Sequence, residues 1–110
     1  MNLKQTKCVP CEGGVEPLTF KEYEQYLDQV KGWNVVLDRM IEREFVFENF
    51  LQALEFVNRV GGVAESEGHH PDILLYGWNK VKISLMTHAI GGLSINDFVM
   101  AVKIDQLNKS

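Results

Sequence analysis

The sequence predicts an α+β domain in which three helices cover one face of a four-stranded antiparallel sheet, in the order α-β-β-α-β-β-α. Two observations favour this architecture. Three segments repeat apolar residues at spacings of three and four, as amphipathic helices do, and two pairs of β-rich runs are each joined by a short turn. The chain has 110 residues, without repeats or linker-like stretches after residue 17. We therefore expect one domain over 18–110, preceded by an irregular arm at 1–17.

The first helix and the first hairpin follow one another at the start of this domain. Thr19 is a good helix-capping residue, and Glu22 three positions later completes a capping box. Apolar residues then recur at helical spacing until Gly32 ends the helix. Two β-rich runs come next, 33–37 and 41–47, and the three residues between them predict the turn of an antiparallel hairpin.

Two further helices are predicted from apolar stripes. The second helix begins at Asn49 and fades near Gly61. Its apolar side consists of Phe50, Leu51, Leu54, Val57 and Val60. The third helix begins at Ser94, where Asp97 takes the place of the glutamate in a capping box. Its buried stripe is predicted to contain Ile95, Phe98, Val99, Val102 and Leu107.

A second hairpin is predicted between these two helices. Pro71 cannot donate to a ladder, so an extended run starts after it and reaches Trp78. A two-residue turn at Asn79 and Lys80 then leads into a return strand at 81–87. Apolar and polar residues alternate in the return strand, whereas its partner is apolar on both sides. The uncovered face of the sheet is therefore a candidate subunit contact.

Charge and apolar content exclude several classes of ligand. Eleven Lys and Arg against fifteen Asp and Glu give a net charge of −4, so no broad cationic face is expected and nucleic acid is not a predicted direct ligand. No apolar run approaches the ~20 residues that span a bilayer, so no membrane contact is predicted. The first seven residues resemble neither a secretory signal nor a transit peptide, and a cytoplasmic location is expected.

The two cysteines, Cys8 and Cys11, lie together in the arm. A redox dithiol of the thioredoxin type expects a strand before it and a helix after it, and neither is predicted here. A structural zinc site would need two more ligands, which a second subunit would have to supply. We favour a plain arm whose thiols can be oxidised.

Histidines are the main chemical clue, because His69, His70 and His88 all fall within one fifth of the chain. With a two-residue turn at Asn79, the predicted register places His88 opposite Pro71, one position from His70. Cross-strand neighbours have Cβ atoms about 5 Å apart. The hairpin alone is therefore expected to bring the imidazoles to one rim of the sheet.

Clustered imidazoles suit proton transfer, because an ordinary pKa of about 6.5 leaves both protonation states populated near neutrality. Glu65, Glu67 and Asp97 are near enough in sequence to orient a ring. Two other interpretations remain open: surface histidines at loop ends, and a zinc site with three histidine ligands. The zinc site ranks below acid–base chemistry, because adjacent His69 and His70 point in different directions on an extended chain.

The same residues resemble a known family. They include the heptapeptide 65–71, Glu-Ser-Glu-Gly-His-His-Pro, then Trp-Asn-Lys-Val at 78–81 and Thr-His at 87–88, followed by Gly-Leu-Ser at 92–94 and Asp97. In their order and spacing these motifs closely resemble the pterin-4a-carbinolamine dehydratases, also known as dimerisation cofactors of a homeodomain transcription factor. The likeness extends from Leu18 to about Leu107, and the arm resembles that of many microbial members.

The resemblance implies dehydration of 4a-hydroxytetrahydropterin to quinonoid dihydropterin, which recycles the cofactor of aromatic amino acid hydroxylases. This reaction involves no redox change, so neither a metal nor a cofactor is expected. The resemblance also implies that His69, His70 and His88 are catalytic. We expect His69 and His88 to transfer protons and His70 to position the pterin. By the same resemblance, the substrate-binding residues are Glu65, Pro71, Trp78, Thr87 and Asp97.

Partners are also implied by the resemblance. A homodimer or homotetramer is expected, through the second helix or the uncovered sheet. Two alternative roles stay open, a non-catalytic adaptor that stabilises a transcription factor dimer and a pterin-binding protein of molybdopterin metabolism. The expected protein partner is a hydroxylase if the protein is a dehydratase, and a transcription factor if it is an adaptor.

Overall fold

The computed structural model describes residues 2–9 and 15–109 and confirms the predicted order of helices and strands. The helices are α1 (Phe20–Leu27), α2 (Phe50–Glu67) and α3 (Ile95–Lys109). The strands are β1 (Asn34–Val36), β2 (Met40–Val46), β3 (Asp72–Tyr76) and β4 (Lys80–Leu85). Two short 3₁₀ turns, Leu3–Gln5 and His88–Ile90, lie outside this order.

The four strands form one antiparallel sheet in the order β1-β2-β4-β3. Strands β2 and β4 are central, and their inward residues form the floor of the core. Ile41 lies opposite Leu85, and Phe45 lies opposite Val81; all four are buried. The alternation predicted for β4 is confirmed, because its apolar residues are fully buried and the residues between them are half-buried.

Both hairpin turns lie closer to the amino terminus than predicted. Val81 pairs with Leu75 and not with Trp78, so the register of the second hairpin differs by three residues from the prediction. Asn79 donates its side-chain amide to Phe47 O (3.0 Å), which ties the turn to the end of β2. The first turn occupies 37–39 and not 38–40.

The physical reason for the shift is the backbone of the turns. Each turn has two consecutive residues with positive φ: Leu37 (52°) and Asp38 (58°) in the first, Gly77 (56°) and Trp78 (59°) in the second. Such conformations match the right-handed twist of a hairpin, but a sequence predicts them only where glycine or asparagine occupies the position. Three of these four positions hold other residues.

Helix α2 is longer than predicted: it was expected to end near Gly61, but it continues through the glycines at 61–62. The helix ends at Gly68, whose left-handed φ of 67° closes it. Its buried residues are Ala53, Phe56, Val60 and Ala64. Of the predicted stripe only Val60 is buried; Leu54 and Val57 are half-buried, and Phe50 and Leu51 are exposed. The burial of these four residues, at successive helical spacings, outweighs the roughly 1 kcal/mol that each helical glycine costs.

Helices α1 and α3 begin with the predicted capping interactions. Thr19 and Glu22 form both hydrogen bonds of a capping box. At α3, Asp97 Oδ2 accepts the backbone N–H of Ser94 (3.0 Å). Helix α3 is the most deeply packed helix of the described chain, because every residue at 96–102 is buried.

The amino-terminal arm contributes to the core, although it was predicted to be irregular. Leu3 lies in a 3₁₀ turn and is fully buried, and its backbone N–H donates to Gln29 Oε1 (3.1 Å). The start of the domain at residue 18 stays a prediction. Among the described helices, none has the length and apolar character needed to cross a membrane.

Glycines in and after α2 give a matched test of this account. Gly62→Ala is expected to raise the free energy of unfolding by about 1 kcal/mol, because a Cβ there meets no atom within 4 Å and alanine favours a helix. Gly68→Ala meets equally open space, but its positive φ should make that variant less stable than the wild type. Urea unfolding measures both; equal shifts for the two variants would contradict the argument.

Candidate active site

The three histidines line one cavity of about 270 Å³ at the end of the sheet where β3 begins and β4 ends. Four segments form its walls: Val9 of the arm, residues 68–70 after α2, residues 86–89 after β4, and Asn96 at the start of α3. The imidazoles from two distant stretches therefore meet.

His69 is the most firmly held of the three rings. Its Nε2 lies 2.7 Å from Asp97 Oδ1, and the side chains are 12% and 0% exposed. A carboxylate only accepts hydrogen bonds, so Nε2 carries the proton in this contact. In the neutral ring, Nδ1 is then the nitrogen with a free lone pair, which makes it the proton acceptor.

Asp97 is itself fixed by the elements around it. Its Oδ2 accepts the hydroxyl of Thr87 (2.9 Å) and the backbone N–H of Ser94 (3.0 Å). The Thr87 and Ser94 hydroxyls are also 2.7 Å apart. A buried carboxylate needs such donors, because an unsatisfied charge is costly away from water. The aspartate that caps the first turn of α3 through the Ser94 N–H is thus also the residue that orients His69.

His70 and His88 are less constrained than His69. His70 Nε2 lies 3.2 Å from Glu65 Oε1, and both side chains are mostly exposed. His88 starts the second 3₁₀ turn and is exposed, and its ring has no polar partner among the described residues. The loop that holds it is closed by Thr87, whose backbone N–H donates to Gly92 O (2.8 Å).

The histidines meet for a different reason from the predicted one. β4 ends at Leu85, so His88 is not opposite Pro71 in the ladder. Asp97 instead connects the two stretches, because it contacts His69 directly and also bonds Thr87, the neighbour of His88.

Not every predicted site residue reaches the cavity. Trp78 lies in the β3–β4 turn, at the opposite end of the hairpin, about 20 Å away along a six-residue strand. Pro71 precedes β3 and is not part of the cavity wall. Glu65 and Asp97 do not line it either, but each contacts an imidazole that does. Thr87 lines it directly.

Sequence reasoning missed Val9, Met86 and Asn96. Asn96 is buried and binds the backbone of Val9 in both directions: the Val9 N–H donates to Asn96 Oδ1 (2.9 Å), and Asn96 Nδ2 donates to Val9 O (2.6 Å). The sequence shows an amide in the first turn of the predicted third helix, but it does not show that this amide is buried. Nor does it show the partner of this amide, 87 residues away.

Glu67 holds the preceding residue of the arm. Its Oε1 accepts the backbone N–H of Cys8 (2.9 Å), and its Oε2 accepts Lys103 Nζ (2.7 Å). The Lys103 hydrogen bond, with that from Cys8, lowers the pKa of Glu67 below its ordinary value. The arm is therefore bound to both α2 and α3.

Cys8 is not a reactive thiol in this arrangement. Burial, helped by the Glu67 carboxylate, raises its pKa to about 12, so the protonated form dominates at neutral pH. Its Sγ lies 3.7 Å from Asn96 O. Cys11 lies outside the described residues. In the described part of the chain, no group of three or more His, Cys, Asp or Glu is arranged to hold a metal ion.

A larger cavity, about 420 Å³, lies between the end of β2, α2 and the end of α3. Glu55 and Arg59 are its charged residues, and it contains no histidine. Its residues therefore offer no imidazole for acid–base work, and the histidine cavity is the candidate active site.

A known protein family matches the part of the chain that contains the three histidines. The profile of a family described as pterin 4 alpha carbinolamine dehydratase matches residues 16–107. This chain belongs to that family. The predicted resemblance is therefore confirmed, and the family's enzymes are hydro-lyases.

Relatives cover almost the whole chain. A protein of Alkaliphilus metalliredigens that carries the provisional name pterin-4-alpha-carbinolamine dehydratase is 51% identical over 106 residues, 96% of this chain and 95% of its own. A provisionally named dehydratase of Halorhodospira halophila is 54% identical over 109 residues, 97% of this chain and 98% of its own. Pterin-4-alpha-carbinolamine dehydratase 2, mitochondrial, of Arabidopsis thaliana is 44% identical and covers 96% of this chain, which matches 59% of the plant protein.

Solved structures of the pterin dehydratase type share the fold. A Brucella melitensis protein described as a transcriptional coactivator/pterin dehydratase superposes with a TM-score of 0.76 at 32% identity, over 84% of this chain and 98% of its own. A pterin dehydratase-like protein described as a RuBisCO assembly factor in the alpha-carboxysome superposes at 0.61 and 23% identity, over 72% of this chain and 92% of its own. The second likeness concerns the fold alone.

The Glu67 ion pair predicts how acid affects stability. A carboxyl whose pKa is lowered by folding stabilises the native state above its unfolded pKa, and this stability is lost as the pH falls through the folded value. Glu67→Gln is therefore expected to lower the free energy of unfolding near pH 7 by about 1–3 kcal/mol. The difference from wild type should shrink from roughly pH 5 downward. Urea unfolding at several pH values measures it; a difference that stays constant with pH would contradict this role.

Proposed function

We propose that this protein dehydrates 4a-hydroxytetrahydropterin to quinonoid dihydropterin by histidine acid–base catalysis, and so recycles the cofactor of aromatic amino acid hydroxylases. The observation that supports the proposal is the meeting of three imidazoles in one small cavity, with His69 oriented by a buried carboxylate. Membership of the pterin dehydratase family supports the substrate class.

The reaction requires only proton transfers. The C4a–O bond breaks, ring N5 supplies the electron pair, a proton joins the departing oxygen to give water, and a ring proton leaves. No electrons pass to or from an external acceptor. An acid and a base that reach the same ligand are therefore sufficient, each contributing about 10²- to 10⁴-fold.

His69 is the base in this proposal. Its Nε2–H is committed to Asp97, so Nδ1 is available to accept the ring proton. When it does so, the imidazolium lies beside the Asp97 carboxylate, and this pairing stabilises the charge that develops. Because Thr87 and Ser94 fix Asp97, the ring does not need to reorient during the reaction.

His88 is the acid that protonates the departing hydroxyl, and His70 positions the pterin. The exposed ring of His88 can recover a proton from water after each turnover, since no described side chain occupies its nitrogens. His70 lies on the same wall as His69 and contacts the Glu65 carboxylate. Substrate contacts for Pro71 and Trp78 have no support from the cavity walls.

The size of the cavity supports a small ligand. About 270 Å³ is near the lower limit of small-molecule sites, which begin at roughly 300 Å³. A bicyclic pterin is a ligand of this size, whereas a dinucleotide is not.

Self-association is part of the proposal, because α2 leaves apolar side chains uncovered. Phe50 is 47% and Leu51 is 76% exposed on this helix. We propose a second copy of the chain as the partner, in a homodimer or homotetramer, and the cytoplasm as its location. The same surface is what an adaptor for a transcription factor would use, and the Brucella protein is described as a coactivator as well as a dehydratase. The adaptor role is the second candidate function.

The proposed activity is tested with freshly prepared 4a-hydroxytetrahydropterin in a stopped-flow absorbance assay. Wild-type protein should accelerate the loss of the adduct. His88→Ala should fold normally, because the ring is exposed, and should lose about 10²- to 10⁴-fold in kcat. Glu44→Gln, which removes an exposed carboxylate from β2, is the control and should keep the wild-type rate.

Two results would contradict this proposal in different ways. No acceleration by the wild type would favour the adaptor or a pterin-binding role in molybdopterin metabolism. If His88→Ala turned over at the wild-type rate, the proposed activity would stand, but His88 would not be its acid.

Asp97→Asn tests the orientation of His69. An amide has one acceptor oxygen where the carboxylate has two, so it cannot accept from both His69 and the Ser94 N–H. Both imidazole tautomers of His69 should then be populated. We expect kcat to fall at least about tenfold, with a smaller change in KM. ¹⁵N NMR of the imidazole reports the tautomer directly. A variant with a mixed tautomer and an unchanged kcat would show that His69 is not the base.

A further inference from the structure

We infer that Val9 is a specificity-determining residue of the histidine cavity, which contacts the substituent on the pterin ring, and that Asn96 is the positioning residue that holds it there. This inference rests on the proposed function for the identity of the ligand. The placement of Val9 by Asn96 rests on geometry alone.

The contact between Asn96 and Val9 fixes a backbone, not a side chain. One amide group of a buried residue satisfies both the N–H and the C=O of Val9, at 2.9 and 2.6 Å. Glu67 holds the adjacent Cys8 N–H at 2.9 Å and is itself bound to Lys103. Three of the four backbone N–H and C=O groups of Cys8 and Val9 therefore have partners on α2 and α3, so the backbone that carries the Val9 side chain is fixed.

Val9 adds an exposed apolar side chain to the cavity that the imidazoles line. Val9 is 59% exposed, yet it lines the same cavity as the three imidazoles. The protein commits a buried asparagine to place an apolar group next to polar catalytic side chains. An exposed apolar side chain gains free energy when apolar atoms cover it. A ligand bound in the cavity would supply such atoms.

The chemistry of the ligand indicates which part of it meets Val9. The reacting atoms are C4a and N5, and the ring substituent of natural pterins is on C6, which is bonded to N5. Imidazoles that serve C4a and N5 therefore lie within a few ångströms of the C6 substituent. In a cavity of about 270 Å³, the apolar side chains of the wall are available for that substituent, and Val9 is one of them, with Met86 and Ala89.

Val9→Ala is the first test, with two substrates that differ only at C6. For the 4a-hydroxy adduct of a 6-(1,2-dihydroxypropyl)-tetrahydropterin, KM should rise by about tenfold, because Val9→Ala removes two methyl carbons that the bound substituent would cover. For the adduct without a C6 substituent, KM should change less than about twofold, and kcat should be unchanged for both. Val15→Ala removes an equally exposed valine of the arm that does not line the cavity, and should change neither KM.

Asn96→Leu tests the positioning role. Alone, it should raise the KM ratio of the two substrates as Val9→Ala does. In the Val9→Ala background it should add little, because the group it positions is already absent. Additive effects would show that Asn96 contacts the substrate directly and does not act through Val9.

A third measurement does not depend on turnover. The Val9 amide, whose N–H is bonded to Asn96, should be protected from hydrogen exchange in the wild type and lose this protection in Asn96→Leu. Equal exchange in both proteins would overturn the positioning role. Binding of 7,8-dihydrobiopterin, followed by fluorescence, should weaken in Val9→Ala but not in Val15→Ala. If the wild type binds this pterin without dehydrating the adduct, the proposed function fails while the Val9 contact stands; equal binding by all three proteins would overturn the contact.

Discussion

One buried carboxylate, that of Asp97, connects the parts of the molecule that form the site. It receives hydrogen bonds from the start of α3, from Thr87 after β4 and from His69 after α2. Because the group is fully buried, it is stable only while these donors surround it. The folding of three segments and the orientation of the His69 ring therefore depend on the same interaction.

The regular elements could be predicted because their signals are local. The capping box at Thr19, the alternation in β4 and the cap at Ser94 each depend on residues a few positions apart. The turns were predicted at the wrong residues because Leu37, Asp38 and Trp78 adopt a left-handed backbone conformation, which the sequence indicates only at glycine or asparagine. The convergence of the histidines survived that error, since it depends on Asp97 and not on the register of the hairpin.

The rest of the site could not be predicted, because its contacts join residues far apart in the chain. Val9 and Asn96 are separated by 87 positions, and no periodicity relates them. The face of α2 shows the same limit. Its apolar residues occupy more than one side, and the sequence does not reveal that Ala53 faces the core while Leu51 faces outward. Packing, and not composition, selects between such faces.

The unequal restraint of His69 and His88 suits the acid and base roles proposed for them. The base must present one particular nitrogen to the ligand, so its tautomer has to be fixed before the ligand arrives, and a buried carboxylate does this. The acid must deliver a proton and then obtain another from solvent, which an exposed ring does more readily than a buried one. A site with one rigid and one exposed imidazole therefore meets both requirements without a metal ligand or a nucleophile, and a dehydration without redox change demands nothing further from the protein.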